Sequence, residues 1–291
     1  MAVYNLGSIN ADHVYEVPHL PQPGETLAAT GFSTGLGGKG ANQSVAVARA
    51  GSRAFHIGAV GADGRWAVAR LADCGVDVRH VAETDTATGH AIITVDRAAE
   101  NAIVLFPGAN MAQTEGAIQA ALAGAGPGDT LMLQNETSLP VFAARRAREM
   151  GLEVFYSAAP FDVAAVRAVL PHITTLALNG VEAKQLQAEL ETDLASLGVA
   201  QILVTRGAGG AEWHVTGNVI TTPAFPVEPV DTTGAGDTFA GYLVAAFDQG
   251  LAADAALRLA SAAAAIKVTR LGAASAIPTR AETDAFLADQ S

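Results

Sequence analysis

Short runs rich in β-forming residues alternate along the chain with longer Ala- and Leu-rich runs, and this alternation constrains the fold more than any other feature. Apolar residues in the longer runs recur at helical spacing. Strands separated by helices of this kind form repeated βαβ units, which predict a parallel sheet with helices on both faces. Aromatic residues are only 5% of the 291, whereas Ala, Val and Gly abound, so small-residue helices on a sheet are favoured over an all-β sandwich.

The pattern places strands and helices in alternation over most of the chain. Strands are predicted over residues 3–6, 54–60, 130–133, 153–157, 175–177 and 201–205. Helices are predicted over residues 41–50, 65–74, 115–123, 140–150, 162–170, 180–189, 237–249 and 252–269.

Two segments, residues 13–36 and 88–106, break this rhythm. Polar and apolar residues alternate in them, and turn-forming residues stand at 21–24 and 96–101. They therefore predict antiparallel hairpins inserted into a single domain that spans residues 1–291. Such a small sheet serves as a lid over a ligand or as an oligomer contact, and the alternative is an edge extension without a role.

The formal charge of −12 and the absence of any Lys/Arg cluster argue against nucleic acid and anionic membranes as partners. A phosphate ligand stays possible, because backbone N–H groups bind phosphate without a basic side chain. The lone cysteine, Cys74, cannot form an intramolecular disulfide. Neither a signal peptide nor a long uncharged apolar run is present, so a soluble, cytoplasmic protein is expected.

The stretch Asp231-Thr232-Thr233-Gly234-Ala235-Gly236-Asp237-Thr238-Phe239 stands directly before a predicted helix. Small residues at 234–236 let the backbone approach a ligand, and the helix dipole favours negative charge at the same place, which predicts an anion hole. An aspartate there would repel a bound phosphate, so Asp237 is better suited to take a proton from a hydroxyl attacking a γ-phosphate. The alternative is that Asp237 caps the helix.

A second glycine-rich stretch, Gly35-Leu36-Gly37-Gly38-Lys39-Gly40-Ala41-Asn42-Gln43, also runs into a predicted helix. It is not a Walker A loop, because Gly rather than Ser or Thr follows the lysine. Its glycines satisfy G-x-G-x-x-G, which leaves a dinucleotide-binding enzyme as an alternative. That fingerprint follows a buried hydrophobic strand, and residues 31–34 do not form one.

Together these stretches resemble the two signatures of the ribokinase (PfkB) family of sugar kinases. D-T-x-G-A-G-D at 231–237 matches the C-terminal signature, Gly-Gly-Lys-Gly-Ala-Asn at 37–42 matches the N-terminal one, and residues 7–13 match the first strand and turn of ribokinases. The resemblance extends from about residue 6 to residue 278. It implies an α/β fold: a doubly wound, mostly parallel sheet with helices on both faces and a small β-sheet lid.

The resemblance also assigns the residues of the reaction and of the sugar site. Asp237 is implied as the catalytic base, with an anion hole formed by Gly234, Ala235 and Gly236. Each sugar hydroxyl both donates and accepts, so a sugar site needs paired carboxylates and amides. The implied sugar-binding residues are Asn10, Asp12, Gly38, Lys39, Asn42, Glu136 and Asp237.

The nucleotide side follows from shorter motifs. N-x-x-E at 179–182 implies that Asn179 lies near the nucleotide and that Glu182 acts on Mg²⁺ through water, although a capped helix start has the same pattern. The loop at 205–210 resembles the family's T-x-G-x-x-G. The implied nucleotide-binding residues are Asn179, Thr205, Gly207, Gly210, Gly236 and Ser261, and the last replaces a histidine that is frequent in ribokinases.

Ribokinases also bind a monovalent cation, typically potassium, and the resemblance implies that it orders the anion hole. The matching positions are Asp231, the carbonyl of Thr233, and a second loop through Lys267, Arg270 and Gly272. An oxygen cage that includes a carboxylate suits a hard cation. The last position of the cage, usually a serine, is Ala276 here, with Ser275 one residue away, and a water molecule could replace the missing ligand.

The expected reaction is transfer of the γ-phosphoryl group of Mg-ATP to the O5 hydroxyl of D-ribose, giving ribose 5-phosphate and ADP. The hairpins would exclude water from the site, and such lids interlock in ribokinases, which implies a homodimer. Alternatives are a kinase for another pentose, a ketose or a nucleoside, and a sugar sensor without catalysis. Agreement at the sugar positions favours ribose, and Asp237 with an intact anion hole argues against the sensor.

Overall fold

The computed structural model describes residues 1–98, 100–215 and 217–290. Within these residues the strands are β1 (Ala2–Leu6), β2 (Asn10–Glu16), β3 (Gly31–Gly37), β4 (Arg53–Gly61), β5 (Asp77–Thr84), β6 (Gly89–Val95), β7 (Asn101–Phe106), β8 (Thr130–Leu133), β9 (Glu153–Ser157), β10 (Thr175–Asn179), β11 (Gln201–Thr205), β12 (Ala211–Val215) and β13 (Asn218–Thr222). The α-helices are α1 (Lys39–Arg49), α2 (Arg65–Asp73), α3 (Glu115–Leu122), α4 (Pro140–Glu149), α5 (Val163–Val169), α6 (Gly180–Leu190), α7 (Ala235–Asp248), α8 (Ala253–Val268) and α9 (Arg280–Asp289).

The large sheet has the strand order β13-β12-β11-β10-β9-β8-β1-β4-β5. Its strands pair in parallel except for β12 and β13, which join one edge as an antiparallel hairpin. The chain builds outward from β1 through β4 to β5 on one side, and from β8 to β11 on the other. The direction of winding therefore reverses between β1 and β8, and a crevice for ligands is expected at the carboxyl ends of these strands.

The predicted mostly parallel sheet with helices on both faces is confirmed, and several elements extend beyond the sequence expectation. Strand β10 runs on to Asn179, and α7 begins at Ala235 rather than at residue 237. The pattern did not show β5, β12, β13 or α9. Strand β5 lies at the sheet edge and none of its residues is fully buried, so it lacks the apolar run that marks an internal strand.

The sheet is hydrophobic on both faces because alternate residues of each strand enter separate layers of the core. In β8, Met132 packs with α1, α7 and α8, whereas Leu131 and Leu133 pack with α3, α4 and α5. Each of these side chains is completely buried, and burying a side chain of this size contributes roughly 2 kcal/mol. No helix among the described residues has the length and apolar character needed to span a membrane.

The small sheet has the order β3-β2-β6-β7 and is formed by the two segments that broke the βαβ rhythm. The predicted hairpins are confirmed, since β2 pairs antiparallel with β3 and β6 antiparallel with β7. The two hairpins are joined through β2 and β6, which pair in parallel, so the small sheet is mixed and not purely antiparallel. The predicted turn at 96–101 includes Ala99, which lies outside the described residues.

Candidate active site

A cavity of about 180 Å³ opens at the carboxyl ends of the central strands, where the direction of winding reverses. Predicted catalytic, sugar-side and nucleotide-side residues line it together: Lys39, Asn179, Glu182, Thr205, Gly234, Ala235, Gly236 and Asp237. A larger cavity, of about 370 Å³, lies at the amino ends of the strands beside Trp213 and Phe247. Among the described residues that line it, only Glu153 is ionisable, so we place the chemistry in the smaller cavity.

Asp237 stands in the first turn of α7 and is 8% exposed. Its side chain does not cap the helix; instead Oδ2 accepts from Asn42 Nδ2 at 3.0 Å and Oδ1 accepts from Gln43 Nε2 at 3.1 Å. Two amides from the glycine-rich motif therefore hold the carboxylate from the opposite side of the cavity. The residue that sequence analysis assigned as the base, Asp237, is thus joined to the predicted sugar residue Asn42 and to its neighbour Gln43.

The backbone before α7 turns through Gly234, whose φ of 72° is readily adopted only by glycine. The amide of Ala235 donates to Thr232 O at 3.2 Å. For the amides of Gly234 and Gly236 no protein acceptor occurs in the part of the chain that the structure describes. These two amides and the helix dipole are the features with which the site can bind an anion.

A chain of buried side-chain amides lies behind Asp237. Gln134 Nε2 donates to Gln43 Oε1 at 2.7 Å and to Asn5 Oδ1 at 2.8 Å. All three amide side chains are almost completely buried. Because Gln43 Oε1 accepts from Gln134, the Nε2 group of Gln43 is directed at Asp237.

The chain continues to a buried histidine. Asn5 Nδ2 donates to Ser44 Oγ at 2.9 Å, Ser44 Oγ and His56 Nδ1 are 2.8 Å apart, and His56 Nε2 and Gly7 O are 3.1 Å apart. A carbonyl only accepts, so Nε2 carries the proton and Nδ1 accepts from the serine. Burial lowers the pKa of His56 to about 4, against the hydrogen bond to Gly7, which raises it. The imidazole is thus neutral at physiological pH.

The predicted sugar residues come together at the end of the small sheet where β2 begins and β3 ends. Glu136 Oε2 accepts from the Lys39 amide at 3.0 Å and from the hydroxyl of Ser8 in a short hydrogen bond. Asn10 Oδ1 accepts from Asn110 Nδ2 at 2.7 Å, and Asn110 Oδ1 accepts from the Ile9 amide at 2.9 Å. Ser8 and Asn110 were missed by sequence analysis, because their partners lie 128 and 100 residues away along the chain.

Two glycines allow this convergence. An added Cβ on Gly7 would lie 2.4 Å from Gly40 Cα, so the backbones of β1 and α1 touch here. Gly38 has a φ of 91°, and a Cβ on it would lie 2.9 Å from Ser8 O. The sequence signature therefore encodes a close backbone crossing, which brings Asn42 to the base and the Lys39 amide to Glu136.

The charges in the site perturb one another. Burial and the nearby charge of Glu136 raise the pKa of Asp12 to about 7. Burial lowers the pKa of Lys39, but the charges of Asp237, Glu136 and Glu182 outweigh it and hold that pKa above its ordinary value. Lys39 is thus a firmly protonated cation among three carboxylates.

On the nucleotide side, Asn179 and Glu182 form a capping box at the start of α6. Asn179 Oδ1 accepts from the Val181 and Glu182 amides, and Glu182 Oε2 accepts from the Asn179 amide at 2.8 Å. The capped helix start is therefore present, and both residues still line the cavity. Burial raises the pKa of Glu182, while the Asn179 hydrogen bond and the charge of Lys39 oppose that rise.

The remaining nucleotide-side predictions differ in placement. Thr205 lines the cavity, and no heavy atom lies within 4 Å of a Cβ added to Gly207, so space is available beside its backbone. A Cβ on Gly210 would lie 2.1 Å from Thr222 O, so packing within the chain already requires glycine there. The Ser261 side chain is buried and donates to Pro223 O at 3.1 Å, so it does not reach the cavity.

At the predicted cation position, Asp231 is already surrounded by protein donors. Its Oδ1 accepts from the Thr233 amide at 2.8 Å and its Oδ2 from the Gly272 amide at 2.9 Å. Lys267 Nζ donates to Asp231 O at 2.7 Å, and the Arg270 guanidinium is directed away to Glu282. Although burial raises the pKa of Asp231, the hydrogen bonds of Thr233 and Gly272 and the charge of Lys267 hold it below its usual value.

These residues do not fit a bound potassium ion. An ion that contacted Asp231 would lie near the Lys267 ammonium, whose Nζ is 3.9 Å from Asp231 Oδ1, and like charges this close to one carboxylate repel each other. Ala276, at the remaining position, has no hydroxyl to offer. A potassium ion at this position therefore remains an expectation that the neighbouring ammonium opposes.

A buried carboxylate beside a helix start with unpaired amides, at the switch point of a doubly wound sheet, is an arrangement typical of enzymes that transfer a phosphoryl group to an alcohol. Residues 3–280 match the pfkB family carbohydrate kinase model. The chain belongs to this PfkB family and is an ATP-dependent carbohydrate kinase.

Ribokinases from other organisms are similar to this chain over nearly its whole length. The ribokinase of Haemophilus influenzae is 38% identical, covering 97% of this chain and 97% of its own. The ribokinase of Thermotoga maritima has a crystal structure that matches with a TM-score of 0.89 at 30% identity, over 99% of both chains. The Arabidopsis thaliana ribokinase, solved with ribose and ATP, matches with a TM-score of 0.86 at 30% identity, again over 99% of both chains.

Proposed function

We propose that this enzyme transfers the γ-phosphoryl group of Mg-ATP to the O5 hydroxyl of D-ribose, giving ribose 5-phosphate and ADP. The observation that carries the proposal is the placement of Asp237. Its carboxylate is held by Asn42 and Gln43, faces the cavity, and stands beside the free amides of the α7 start. The 38% identical ribokinase of Haemophilus influenzae and the Arabidopsis thaliana ribokinase solved with ribose and ATP support ribose as the acceptor.

In the proposed reaction the sugar O5 forms a bond to the γ-phosphorus and gives its proton to Asp237. The bond from the γ-phosphorus to the bridging oxygen breaks, and ADP leaves with that electron pair. Gly234, Gly236 and, after release from Thr232, Ala235 donate N–H groups to the transferred phosphoryl oxygens. Lys39 neutralises negative charge on the phosphates and remains protonated throughout.

Sugar recognition is proposed for the polar groups of Asn10, Asp12, Asn42 and Glu136, beside the backbone of Gly38. Asn42 Oδ1 is buried and has no hydrogen-bond partner among the described residues. A buried acceptor without a donor costs free energy, which a sugar hydroxyl would recover. Asp12 carries a raised pKa, so it can accept from one hydroxyl or donate to another according to pH.

Magnesium fits the nucleotide side through water. Among the described residues no group of three or more His, Cys, Asp or Glu side chains is placed to hold a metal ion, so a magnesium ion here would take most of its ligands from phosphate and water. Glu182 is the residue that would hold it, with one carboxylate oxygen occupied by the Asn179 amide. When bound, the ion supplies positive charge to the β- and γ-phosphates. Asn179, Thr205 and Gly207 are proposed to contact the nucleotide.

The test is a coupled ADP-release assay with Mg-ATP and ribose, deoxyribose, fructose, 2-keto-3-deoxygluconate or adenosine. Ribose should give the highest kcat/KM, and Asp237→Asn should lower kcat by about 10²–10⁴-fold, the range for a general base. Asp254→Asn is the matched control, because Asp254 is an exposed acid in the first turn of α8. Preference for another sugar would overturn the acceptor, and an active Asp237→Asn variant would overturn the mechanism.

We further propose that the small sheet is a lid and that two lids pair in a homodimer. Every residue of β7 is exposed, and one edge of this strand is unpaired. Ile103, Val104 and Phe106 of β7 are exposed apolar residues, as is Phe32 of β3 at the other edge of the sheet, and contiguous exposed apolar surface marks an interaction site. Light scattering after size exclusion should give twice the chain mass, and Val104→Glu should give a monomer; a monomeric wild type would refute the dimer.

A further inference from the structure

Lys267 lies in the last turn of α8, and none of its side chain is exposed. Lysine is among the residues least often fully buried, because its ammonium must find oxygen partners to replace water. Here Nζ donates to Asp231 O at 2.7 Å and lies 3.9 Å from Asp231 Oδ1. The ammonium therefore lies against the residue at which a monovalent cation was expected.

Asp231 joins two segments that shape the anion hole. Its carboxylate accepts from the Thr233 amide on one side and from the Gly272 amide, beyond the end of α8, on the other. The next residue, Thr232, accepts from the Ala235 amide in the first turn of α7. A positive charge placed on Asp231 thus acts on the backbone that presents the N–H groups of the anion hole.

We propose that the ammonium of Lys267 takes the place of the monovalent cation, so that this enzyme needs no potassium or sodium for turnover. The proposal rests on the proposed kinase function. A tethered ammonium supplies the same unit charge to the Asp231 oxygens, and its position does not depend on the concentration of an ion. The loop is then ordered permanently by the chain itself.

The neighbouring groups agree with this assignment. The Arg270 guanidinium donates to Glu282 at 2.7 Å, so it does not compete for Asp231. The carbonyl of Lys267 accepts from the Arg270 amide at 3.1 Å, as at an ordinary helix end. Ala276 offers no side-chain oxygen. The oxygen atoms of Asp231 have protein donors, and the position needs no external ion to balance its charge.

The first test compares ribose turnover with Mg-ATP in two buffers of equal ionic strength. One buffer contains tetramethylammonium and no alkali metal, and the other contains potassium in its place. Wild-type turnover should agree within about twofold between the two, since an ion that does not bind shifts no equilibrium. Lys267→Met keeps the length of the side chain and removes its charge. It should lose about 10²-fold in kcat without potassium, and potassium should restore most of that loss.

The control is Lys184→Met, which removes the same charge from an exposed position on α6 and should behave as wild type. A second readout, the unfolding temperature, does not require turnover, so it separates failure of this inference from failure of the kinase proposal. Potassium should raise the unfolding temperature of Lys267→Met and leave that of the wild type unchanged, because only a bound ion stabilises the folded state.

Several outcomes would overturn the proposal. Activation of the wild type by potassium of about tenfold or more would show that a bound ion is still required. A Lys267→Met variant that keeps full turnover without potassium, or that potassium neither stabilises nor reactivates, would show that the ammonium does not act as the cation. If the variant does not fold, the wild-type arms alone decide the question.

Discussion

The contact between α1 and α7 sets the position of the base, and Gly241→Ala tests it. An added Cβ at Gly241 would lie 2.5 Å from Ala46 Cβ and 2.7 Å from Gln43 O. Carbon atoms in relaxed contact are about 3.5–4.0 Å apart, so the two helices must separate by about 1 Å. Asn42 and Gln43 reach Asp237 from α1 at 3.0 and 3.1 Å, and that separation takes both contacts beyond hydrogen-bond range.

Overpacking of this kind costs about 1–3 kcal/mol, and each hydrogen bond to a charged group is worth about 1.5–3 kcal/mol. Part of the strain is relieved by the movement itself, so we expect Gly241→Ala to lower the free energy of unfolding by about 2–4 kcal/mol. A displacement of about 1 Å at a catalytic group lowers kcat by about 10²-fold. Urea unfolding and steady-state kinetics with ribose measure the two quantities.

Gly116→Ala is the matched control, because Gly116 is a helical glycine of α3 with no heavy atom within 4 Å of an added Cβ. It should stabilise the protein by up to about 1 kcal/mol through helix propensity and leave kcat unchanged. A Gly241→Ala variant that is destabilised but keeps its kcat within about threefold would refute the reasoning, because the base would then not depend on this helix contact.

Three further predictions concern the polar side chains of the site. Burial and the charge of Glu136 raise the pKa of Asp12 from 3.8 to about 7, so Asp12 holds a proton in the folded state that the unfolded chain releases at lower pH. Relative to Asp12→Asn, the wild-type free energy of unfolding should therefore fall by about 2–3 kcal/mol from about pH 5 to about pH 8. A pH-independent difference in urea titrations would contradict this. Gln43→Leu should lower kcat by about 10–100-fold with little change in the sugar KM, since one donor to the proposed base is lost. The control is Gln119→Leu, at an exposed position of α3, and an equal fall in its kcat would show a nonspecific effect. Asn110→Ala should raise the sugar KM about tenfold with little change in kcat, because Asn10 loses its partner; a fall confined to kcat would argue against a role in sugar binding.

The main features of the fold could be predicted from the sequence because buried parallel strands and small-residue helices leave strong periodic signals. The elements that were missed give weak ones. Strand β5, Asp77–Thr84, carries charged residues along an exposed edge, and the β12–β13 hairpin closes the opposite edge. Edge strands are held by pairing with a neighbour, which a local pattern of apolar residues does not reveal.

In the candidate site, sequence analysis identified the residues whose role depends on neighbours close to them along the chain. The amides before α7 and the glycines before α1 are such cases, since turn and helix-start geometry is written in a few consecutive residues. Gln134 is different, because it supports Gln43 from 91 residues away along the chain. Lys267 was assigned to a cation cage, and only its burial against Asp231 shows that its own ammonium stands there.

The buried amide chain has one consistent direction, and this explains how it can serve the base. The carbonyl of Gly7 requires a proton on His56 Nε2, so Nδ1 must accept from Ser44, which in turn accepts from Asn5. Asn5 Oδ1 and Gln43 Oε1 then share the amide donors of Gln134.

Reversing any of these amides would bring two donors or two acceptors together in the core, at a cost of about 1–3 kcal/mol for each unpaired group. Gln43 is therefore fixed with its N–H toward Asp237. The pKa of His56, lowered to about 4, keeps this direction unchanged at physiological pH. A polar network in the core weakens hydrophobic packing, but here it holds a donor in place at Asp237, the proposed base.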